Sequence, residues 1–599
     1  MTRSRSRAAL ACGIATVAVL ALSPAGYAAA ATSTQPAMAA SPDAPEKGTN
    51  GMRKVQILGI NDFHGALEPP AGSGGVVTDA QGKKIPAGGV EYLSTHLQKA
   101  RQKAAAAGAG SITVSAGDNI GGSPFLSQAF HDEPTIEALN RIGLSVAAVG
   151  NHELDHGWTE LRRIADGGCF KDKKDSNKSS CALHKFEGAK FDYVAANIKD
   201  KEGKNLAPFA IRKVNGAPVA FIGLTLKGAP DIVSQSGVRS LTFEDEVAAG
   251  NRTAAFLKKK GVNAMVALVH QGGNVPAKSP WNYHCKDGKS LTGDITPIAR
   301  NLSADIDLIM SSHTHESYTC SVLDPAGKPR LVTQAGHYGR LFAQVDATYN
   351  PSTKDFVRET MRASNHVVTR DVAKDPAMTA LISAYTGKVK AIANKKVGTI
   401  TGDVTADRDA TGSTPLGNLI ADAFRSEPSA ATNGKAPQIA FMNPGGIRAD
   451  LTHASSPAGE GKGVVTYKEA FSVQPFGNNI VSLDLTGAQI YEILEQQWSG
   501  SEAKILQVSD GFTYEYRAEG SGKGKVVPNS VKLNGTPINR AATYRVVTNS
   551  FLADGGDGFT TFSKGTKRHQ GGLDIDSFTR YLGAHQPYSP VTTQRVTRR

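Results

Sequence analysis

Five cysteines in 599 residues are few, and no two are spaced C-x₂-C, so a cysteine-held zinc module is excluded. Long apolar runs are scarcer still. After Ala8–Leu22 no stretch is long and apolar enough to span a bilayer, and the tail from Val591 to Arg599 is polar. No transmembrane anchor is expected. There is no dense run of Lys and Arg apart from Lys171 to Lys178, which Asp and Ser interrupt. That stretch reads as a solvated loop, and a nucleic-acid partner is not expected. Tandem repeats and a low-complexity body are also missing, which removes a structural-scaffold role. What is there is ordinary for a globular protein, 40% hydrophobic and 20% charged, and too long for one core.

The N-terminus carries an export pattern. Arg3, Arg5 and Arg7 precede the apolar run, and small residues from Ala28 onward offer cleavage sites. A signal peptide over 1–31 is expected, then a flexible Ala/Ser/Pro/Thr leader over 32–52, and a secreted or cell-wall-associated mature protein. Removing the signal lowers the formal charge from +13 to +10, a mild surplus that favours anionic substrates or an anionic wall. Four cysteines remain: Cys169, Cys181, Cys285 and Cys320. An even count in an exported chain points to disulfides. Of the three connectivities, Cys169–Cys181 with Cys285–Cys320 is favoured, because it staples one polar loop and ties two others.

The body reads as α/β. Short β-branched runs (Val55–Ile60, Ile112–Val114, Val146–Val149, Met265–Val269, Ile306–Met310) alternate with helical patterns over Val90–Ala107, Glu133–Ile142 and Glu244–Lys260. One helix is predicted over 372–395 as a connector. A second α/β region follows, with helices at Leu416–Ser426 and Ala488–Trp498 and strands at Ile439–Met442, Ile480–Leu485, Phe512–Tyr516 and Tyr544–Thr548.

Each of the five early strands runs into a loop bearing Asp, His or Asn. These loops are Asn61-Asp62-Phe63-His64-Gly65, Gly117-Asp118-Asn119, Gly150-Asn151-His152-Glu153-Leu154-Asp155, His270-Gln271-Gly272-Gly273 and Ser312-His313-Thr314-His315. Loops beyond the C-terminal ends of strands converge in α/β folds. Imidazole and carboxylate suit a pair of divalent cations, which can share a hydroxide and steady the attacking and leaving oxygens of an in-line displacement. Singly, each loop reads as a turn or a structural histidine; five in order do not. His96, His131, His156, His184, His284, His337, His366 and His453 mostly read as surface or packing residues.

Together the motifs resemble those of the calcineurin-like metallophosphoesterases, and more closely the exported 5′-nucleotidase family, with its UDP-sugar hydrolase and 2′,3′-cyclic phosphodiesterase relatives. The resemblance implies a sandwich of two mixed sheets flanked by helices over 53–365, a linker helix within 366–396, and a mixed α/β substrate-binding domain over 397–599. It implies two divalent metals, zinc or manganese. Asp62, His64 and His315 would hold one, Asn151, His270 and His313 the other, with Asp118 bridging. His152 would stabilise the phosphoryl group or protonate the leaving oxygen, and Asp155 would orient its ring. Ser312 stands where the fifth motif often has glycine. In the second region Phe476 and Phe551 would clamp a base, Asp557 would bind ribose, and Asn443 and Arg448 would contact nucleoside or phosphate. The family commonly has an arginine shortly before Leu416-Gly417-Asn418-Leu419; here the nearest is Arg408, with Gly412-Ser413-Thr414 between. The implied activity is hydrolysis of a nucleoside 5′-monophosphate by hydroxide generated on the metals. A cyclic nucleotide, a UDP-sugar or another small phosphate ester is the alternative substrate, and a catalytically silent nucleotide-binding surface protein the alternative class.

Overall fold

Successive residues of the strand Arg53–Ile60 pack on opposite sides. Val55 and Ile57 enter one core, Leu58 and Ile60 another. Period-two burial on both faces marks a strand inside a layered fold. The same split recurs in Met265–His270, where Val266 and Leu268 join the core of Ile57 while Met265, Ala267 and Val269 join a third.

The computed structural model describes residues 51–599, except 71, 171–179, 234, 277–278, 286–289, 433, 501, 521 and 592–593. The expected signal peptide, nearly all of the expected leader and the stretch Lys171 to Lys178 lie outside the described residues. No helix among the described residues is long and apolar enough to cross a membrane.

Two mixed sheets form the first half. One orders its strands Asp355–Phe356, Leu341–Asn350, Arg53–Ile60, Ala109–Ser115, Leu144–Ala148 and Asp192–Val194, with Arg362–Val367 also on Leu341–Asn350. The other runs Ser317–Leu323, Pro329–Ala335, Leu308–Ser311, Met265–His270, Ala217–Thr225 and Phe209–Val214. Their inner faces share the core of Val55, Val114, Val266 and Leu308. At Gly59 the sheets approach so closely that a Cβ would lie 2.0 Å from Met310 Cε. Helices Val90–Ala106 and Glu133–Arg141 cover one outer face, and Glu246–Lys259 and Ile295–Asn301 the other. The three adjacent strands from Arg53 to Ala148 are parallel, as are the central strands of the second sheet. Every loop with a proposed ligand therefore emerges from a C-terminal strand end. Cys169 pairs with Cys181 and Cys285 with Cys320.

The connecting helix spans Pro376–Ala393, starting later than the pattern over 372–395 predicts. Pro376 at the first turn and Asp375, which caps Ala377 N–H, set the start. Met378, Leu381 and Tyr385 pack into the core of the first half, and Tyr385 Oη donates to Glu137 Oε1 at 2.8 Å. The second half is built on a sheet ordered Gln507–Val508, Ile439–Met442, Thr543–Asn549, Asn479–Thr486 and Thr566–Leu573. Helices Pro415–Ser426 and Asp574–Ala584 cover one face of it. Helix Gly487–Gln496 and the sheet around Phe512–Ala518 cover the other.

Candidate metal centre and substrate cleft

The strand-end loops are stitched to one another before any ligand is considered. Asp62, His64 and Gly65 donate backbone N–H groups to the carbonyls of Gly117, Asp118 and Asn119, each at 3.0 Å. Buried Glu153 accepts from the N–H groups of Asp118 (2.8 Å), Asn119 (2.7 Å) and Gly150 (2.7 Å), tying the second loop to the third. Asp62, His64, Asp118, His313 and His315 all have positive φ, from 46° to 75°. Such backbone costs about 1–3 kcal/mol per residue and gathers where a site over-determines it.

Three overlapping groups of donor atoms result, and Asp118 belongs to two of them. Asp62, His64 and His315 bring ligand atoms within 4.8 Å of one another, as do Asp118, His270 and His313, and also His64, Asp118 and His152. Asp118 Oδ2 lies 3.8 Å from His64 Nε2 and 3.1 Å from His270 Nε2, between the groups. Asn151 Oδ1 is 3.0 Å from His270 Nε2. The imidazoles are set to coordinate through Nε2. His64 Nδ1 is 2.8 Å from Gly121 O and His270 Nδ1 3.0 Å from Ala116 O, so in each pair Nδ1–H donates to the carbonyl. His64 Nε2 and His315 Nε2 stand only 3.2 Å apart, aimed at one point. These nitrogen and oxygen donors fit zinc or manganese. Ser312, where glycine was the family expectation, places Oγ 2.8 Å from His270 Nδ1 and bonds Ala116 O.

Burial sets the protonation of the metal-free cluster. It depresses His313 to about 3, helped by the His270 charge, and holds His64 and His315 well below the usual imidazole range. Neutral rings with free lone pairs are what a cation requires. Burial also raises Asp62 to about 7. It works against a charged His270, yet the Asp118 carboxylate lifts that group to about 9. Burial likewise opposes the Asp118 charge, but His270 and His152 hold the carboxyl far below its ordinary value.

His152 stands beside this cluster. It opens a short 3₁₀ turn, His152–Leu154, that brings Asp155 Oδ2 to 2.9 Å from Nδ1. Its ring stacks 5.6 Å from Phe476, 25° off parallel.

Phe476 belongs to the second half, and both halves line one cleft of about 2080 Å³. Asp118, Asn151, His152, His313 and His315 face it from one side, and Asn443, Arg448, Phe476, Phe551 and Asp557 from the other. Arg448 Nη2 is 3.4 Å from His64 Nε2, and its guanidinium lies 5.7 Å over the Phe476 ring. Asn443 Nδ2 donates to Asp557 Oδ2 at 2.9 Å.

Residues 55–317 match the calcineurin-like phosphoesterase family model, and residues 396–564 match the 5′-nucleotidase C-terminal domain. A cell wall protein of Listeria monocytogenes is 32% identical over 563 residues, covering 90% of this chain and 68% of its own. The chain belongs to the 5′-nucleotidase family of calcineurin-like phosphoesterases. That family's enzymes are metal-dependent phosphoester hydrolases. A second relative, the endonuclease YhcR of Bacillus subtilis, is also 32% identical over 510 residues, but this chain spans only 37% of its length. Among solved structures, the 5′-nucleotidase precursor from Thermus thermophilus superposes with a TM-score of 0.72 at 26% identity, covering 91% of this chain and 99% of that one.

In this family member Asp118, Asn151, His152, Asp155, His313 and His315 line the cleft with Asn443, Arg448, Phe476, Phe551 and Asp557, while Asp62, His64 and His270 are fully buried. Arg408 is exposed and does not line the cleft. Conversely, Tyr338 and His337 carry more than their sequence suggests. Tyr338 N–H donates to Asp62 O at 2.8 Å, its ring stands edge-on to His64 at 5.8 Å, and its hydroxyl reaches Arg448 O at 3.4 Å. His337 stacks on His315 at 4.4 Å, so its packing role lies at the centre itself. Gly336-His337-Tyr338-Gly339 follows the strand Pro329–Ala335, the same strand-then-glycine pattern that marks the other loops.

Proposed function

We propose that this chain is an exported phosphoesterase that hydrolyses nucleoside 5′-monophosphates to nucleoside and phosphate. One observation carries the reading: a metal-ligand cluster and an aromatic, Asp- and Arg-bearing wall face the same cleft. Asp62, His64 and His315 would hold one divalent ion, and Asn151, His270 and His313 the other, with Asp118 shared. When bound, two such ions supply Lewis-acid charge to the phosphoryl oxygens and lower the pKa of the attacking water. The chain's own side chains do the rest. Arg448 forks onto the phosphate. Phe476 and Phe551 stack the base, and Asp557 accepts from ribose hydroxyls. His152, oriented by Asp155, protonates the departing 5′-oxygen or steadies the charge beside it. Export is supported by the basic-then-apolar N-terminus and by the Listeria relative's name as a cell wall protein.

The test pairs elemental analysis with a substrate panel of AMP, UMP, UDP-glucose, 2′,3′-cyclic AMP and single-stranded DNA. Preferred turnover of monophosphates with about two metals per chain is the expected result. Preference for the cyclic ester, the sugar nucleotide or DNA would move the substrate. Full metal loading without hydrolysis would make the chain a binding protein.

A further inference from the structure

One short helix carries both second-half residues that reach the metal cluster. Helix Tyr467–Val473 starts in a capping box: Glu469 N–H donates to Thr466 Oγ1 at 3.3 Å, and Thr466 N–H donates to Glu469 Oε2 at 2.9 Å. Tyr467 N–H donates to Lys395 O at 2.8 Å, just beyond the connecting helix. At the other end, Val473 O accepts the Arg448 N–H at 2.9 Å. Buried Gln474 and Pro475 then lead directly to Phe476. Arg448, which approaches His64, and Phe476, which stacks on His152, therefore hang from the same helix end.

This helix is seated on two strand-end loops of the first half. Lys468 Nζ lies 2.6 Å from Glu68 Oε2 and 2.7 Å from Glu68 Oε1. Glu68 comes four residues after His64, and the turn between them is pinned. Leu67 N–H donates to Gly65 O at 2.7 Å, and Leu67 O accepts from Val90 N–H at 3.0 Å. The second seat is the loop of Asp118. It runs through Gly121 and Gly122 to buried Phe125, whose ring meets Tyr467 edge-on at 5.7 Å and Phe471 at 5.4 Å. Tyr467 and Phe471 are four apart and share a helix face.

The two seats differ in what they can fix. Edge-on aromatic contacts tolerate a range of angles and offsets, so they hold the helix down without setting its position. An ammonium engaged by both oxygens of one carboxylate sets a point on the helix against a point on the Asp62 loop. The side chains of Lys468 and Glu68 are 29% and 32% exposed, so the pair contributes little to overall stability. Neither lines the cleft, and any effect on the reaction must pass through residues that do. Misplacing a reacting or orienting group by about 1 Å can cost about a hundredfold in rate. We propose that Glu68 and Lys468 are positioning residues, whose ion pair sets where Arg448 and Phe476 stand over the metal cluster.

This rests on the nucleotide reading of the cleft, and the experiment separates the two. The metal-loaded full chain is compared with Glu68→Gln, with Lys468→Met, and with the swapped pair Glu68→Lys and Lys468→Glu. Each single variant should lower kcat/KM for AMP about fivefold, with Tm within about 2 °C of the parent and metal content unchanged. The swapped pair should recover to within about twofold of the parent. In a chain carrying Arg448→Ala and Phe476→Ala, adding Lys468→Met should cost no more than about twofold, because the helix has nothing left to place. An undiminished loss in that background would overturn the proposal, since the pair would then support the fold at large. Single variants that match the parent, or a swapped pair no better than either single, would overturn it as well. A parent chain that turns over p-nitrophenyl phosphate but no AMP would sink the nucleotide reading instead. The same comparison on that ester then decides the role of the pair, because the contact proposed for Arg448 is to phosphate in either substrate.

Discussion

His152 Nδ1 lies 2.9 Å from Asp155 Oδ2, one short turn along the chain, and that contact decides which ring nitrogen can serve the cleft. A carboxylate only accepts, so Nδ1 carries the proton shared with Asp155 and Nε2 is left for substrate. Gly122 N–H donates to the same Oδ2 at 3.0 Å, fixing Asp155 in turn.

Replacing His152 with Ala should lower kcat by about 10²–10⁴, the ordinary span for a lost general acid, while leaving metal content near that of the parent. Loss of metal in that variant would make His152 a ligand instead. The pH profile offers a second check. Burial works against a charged His152, but Asp155 raises the group above its ordinary value. The ring is therefore protonated below that raised value, and activity that needs its proton falls as pH rises through it. Asp155→Asn removes the lifting charge, so the alkaline limb of kcat should move to lower pH. A limb that stays in place would assign it to another group.

Glu153 carries a different prediction. Its carboxylate receives three backbone N–H groups and Asn119 Nδ2 at 3.1 Å. In Glu153→Gln, an amide NH₂ must face N–H donors. Leaving buried donors unmatched costs about 1–3 kcal/mol. Because the loops so held carry Asp118 and Asn151, metal affinity should fall with stability. Urea melts of the chelated protein and a metal titration measure the two; unchanged affinity alongside lost stability would confine Glu153 to the fold.

The contrast between these residues shows what the chain reveals unaided. The convergence of Asp62, Asp118, Asn151 and His270 was legible because each follows a buried β-branched run, and a polar residue at that point has few structural uses. The α/β layering was legible for the same reason: Ile57 and Leu58 alternate cores. Glu153 was in plain view inside a motif, but its role depends on three N–H groups from two loops converging on it. Left-handed backbone at Asp62, His64, Asp118, His313 and His315 was equally invisible, because Asp and His carry no mark of φ. Arg408 was the reverse case, a plausible residue type that the chain leaves in solvent.

Metal and pH should be coupled with a definite sign. In the metal-free fold His270 is raised to about 9 and Asp62 to about 7. A raised His270 contributes stability that is complete below its unfolded value near 6.5 and lost as pH climbs through 9. Raised Asp62 acts in the same direction, with stability lost as pH rises from about 4 through 7. Below about pH 7 the depressed imidazoles of His64, His313 and His315 work in the opposite direction, so it is between pH 7 and 9 that the chelated protein should become less stable. Cation binding must expel both protons, so affinity rises over the same interval. The gap in Tm between loaded and chelated protein should widen steadily from pH 7 to 9. A constant gap would contradict the assignment of His270 and Asp62 as ligands.

The two aromatic residues of the cleft should separate in their kinetics. Both are half-buried and line it, but their neighbours differ. Phe551 lies against Gly556, where a Cβ would come within 2.5 Å of its ring. Phe476 stacks on His152, carries the Arg448 guanidinium over its face, and lies 3.0 Å from where a Cβ on Gly122 would stand. Base stacking contributes about 1–3 kcal/mol, or roughly five- to hundredfold in KM. Phe551→Ala should show that rise for AMP with kcat nearly unchanged, and should leave p-nitrophenyl phosphate turnover alone, because that ester has no base to stack. Phe476→Ala should raise the KM for AMP and also lower kcat on both substrates, since it frees the ring of His152 and the approach of Arg448. If Phe551→Ala impairs both esters equally, Phe551 packs the domain rather than the base. If Phe476→Ala spares kcat, the stacking on His152 does not order the acid, and Asp155 alone sets that ring.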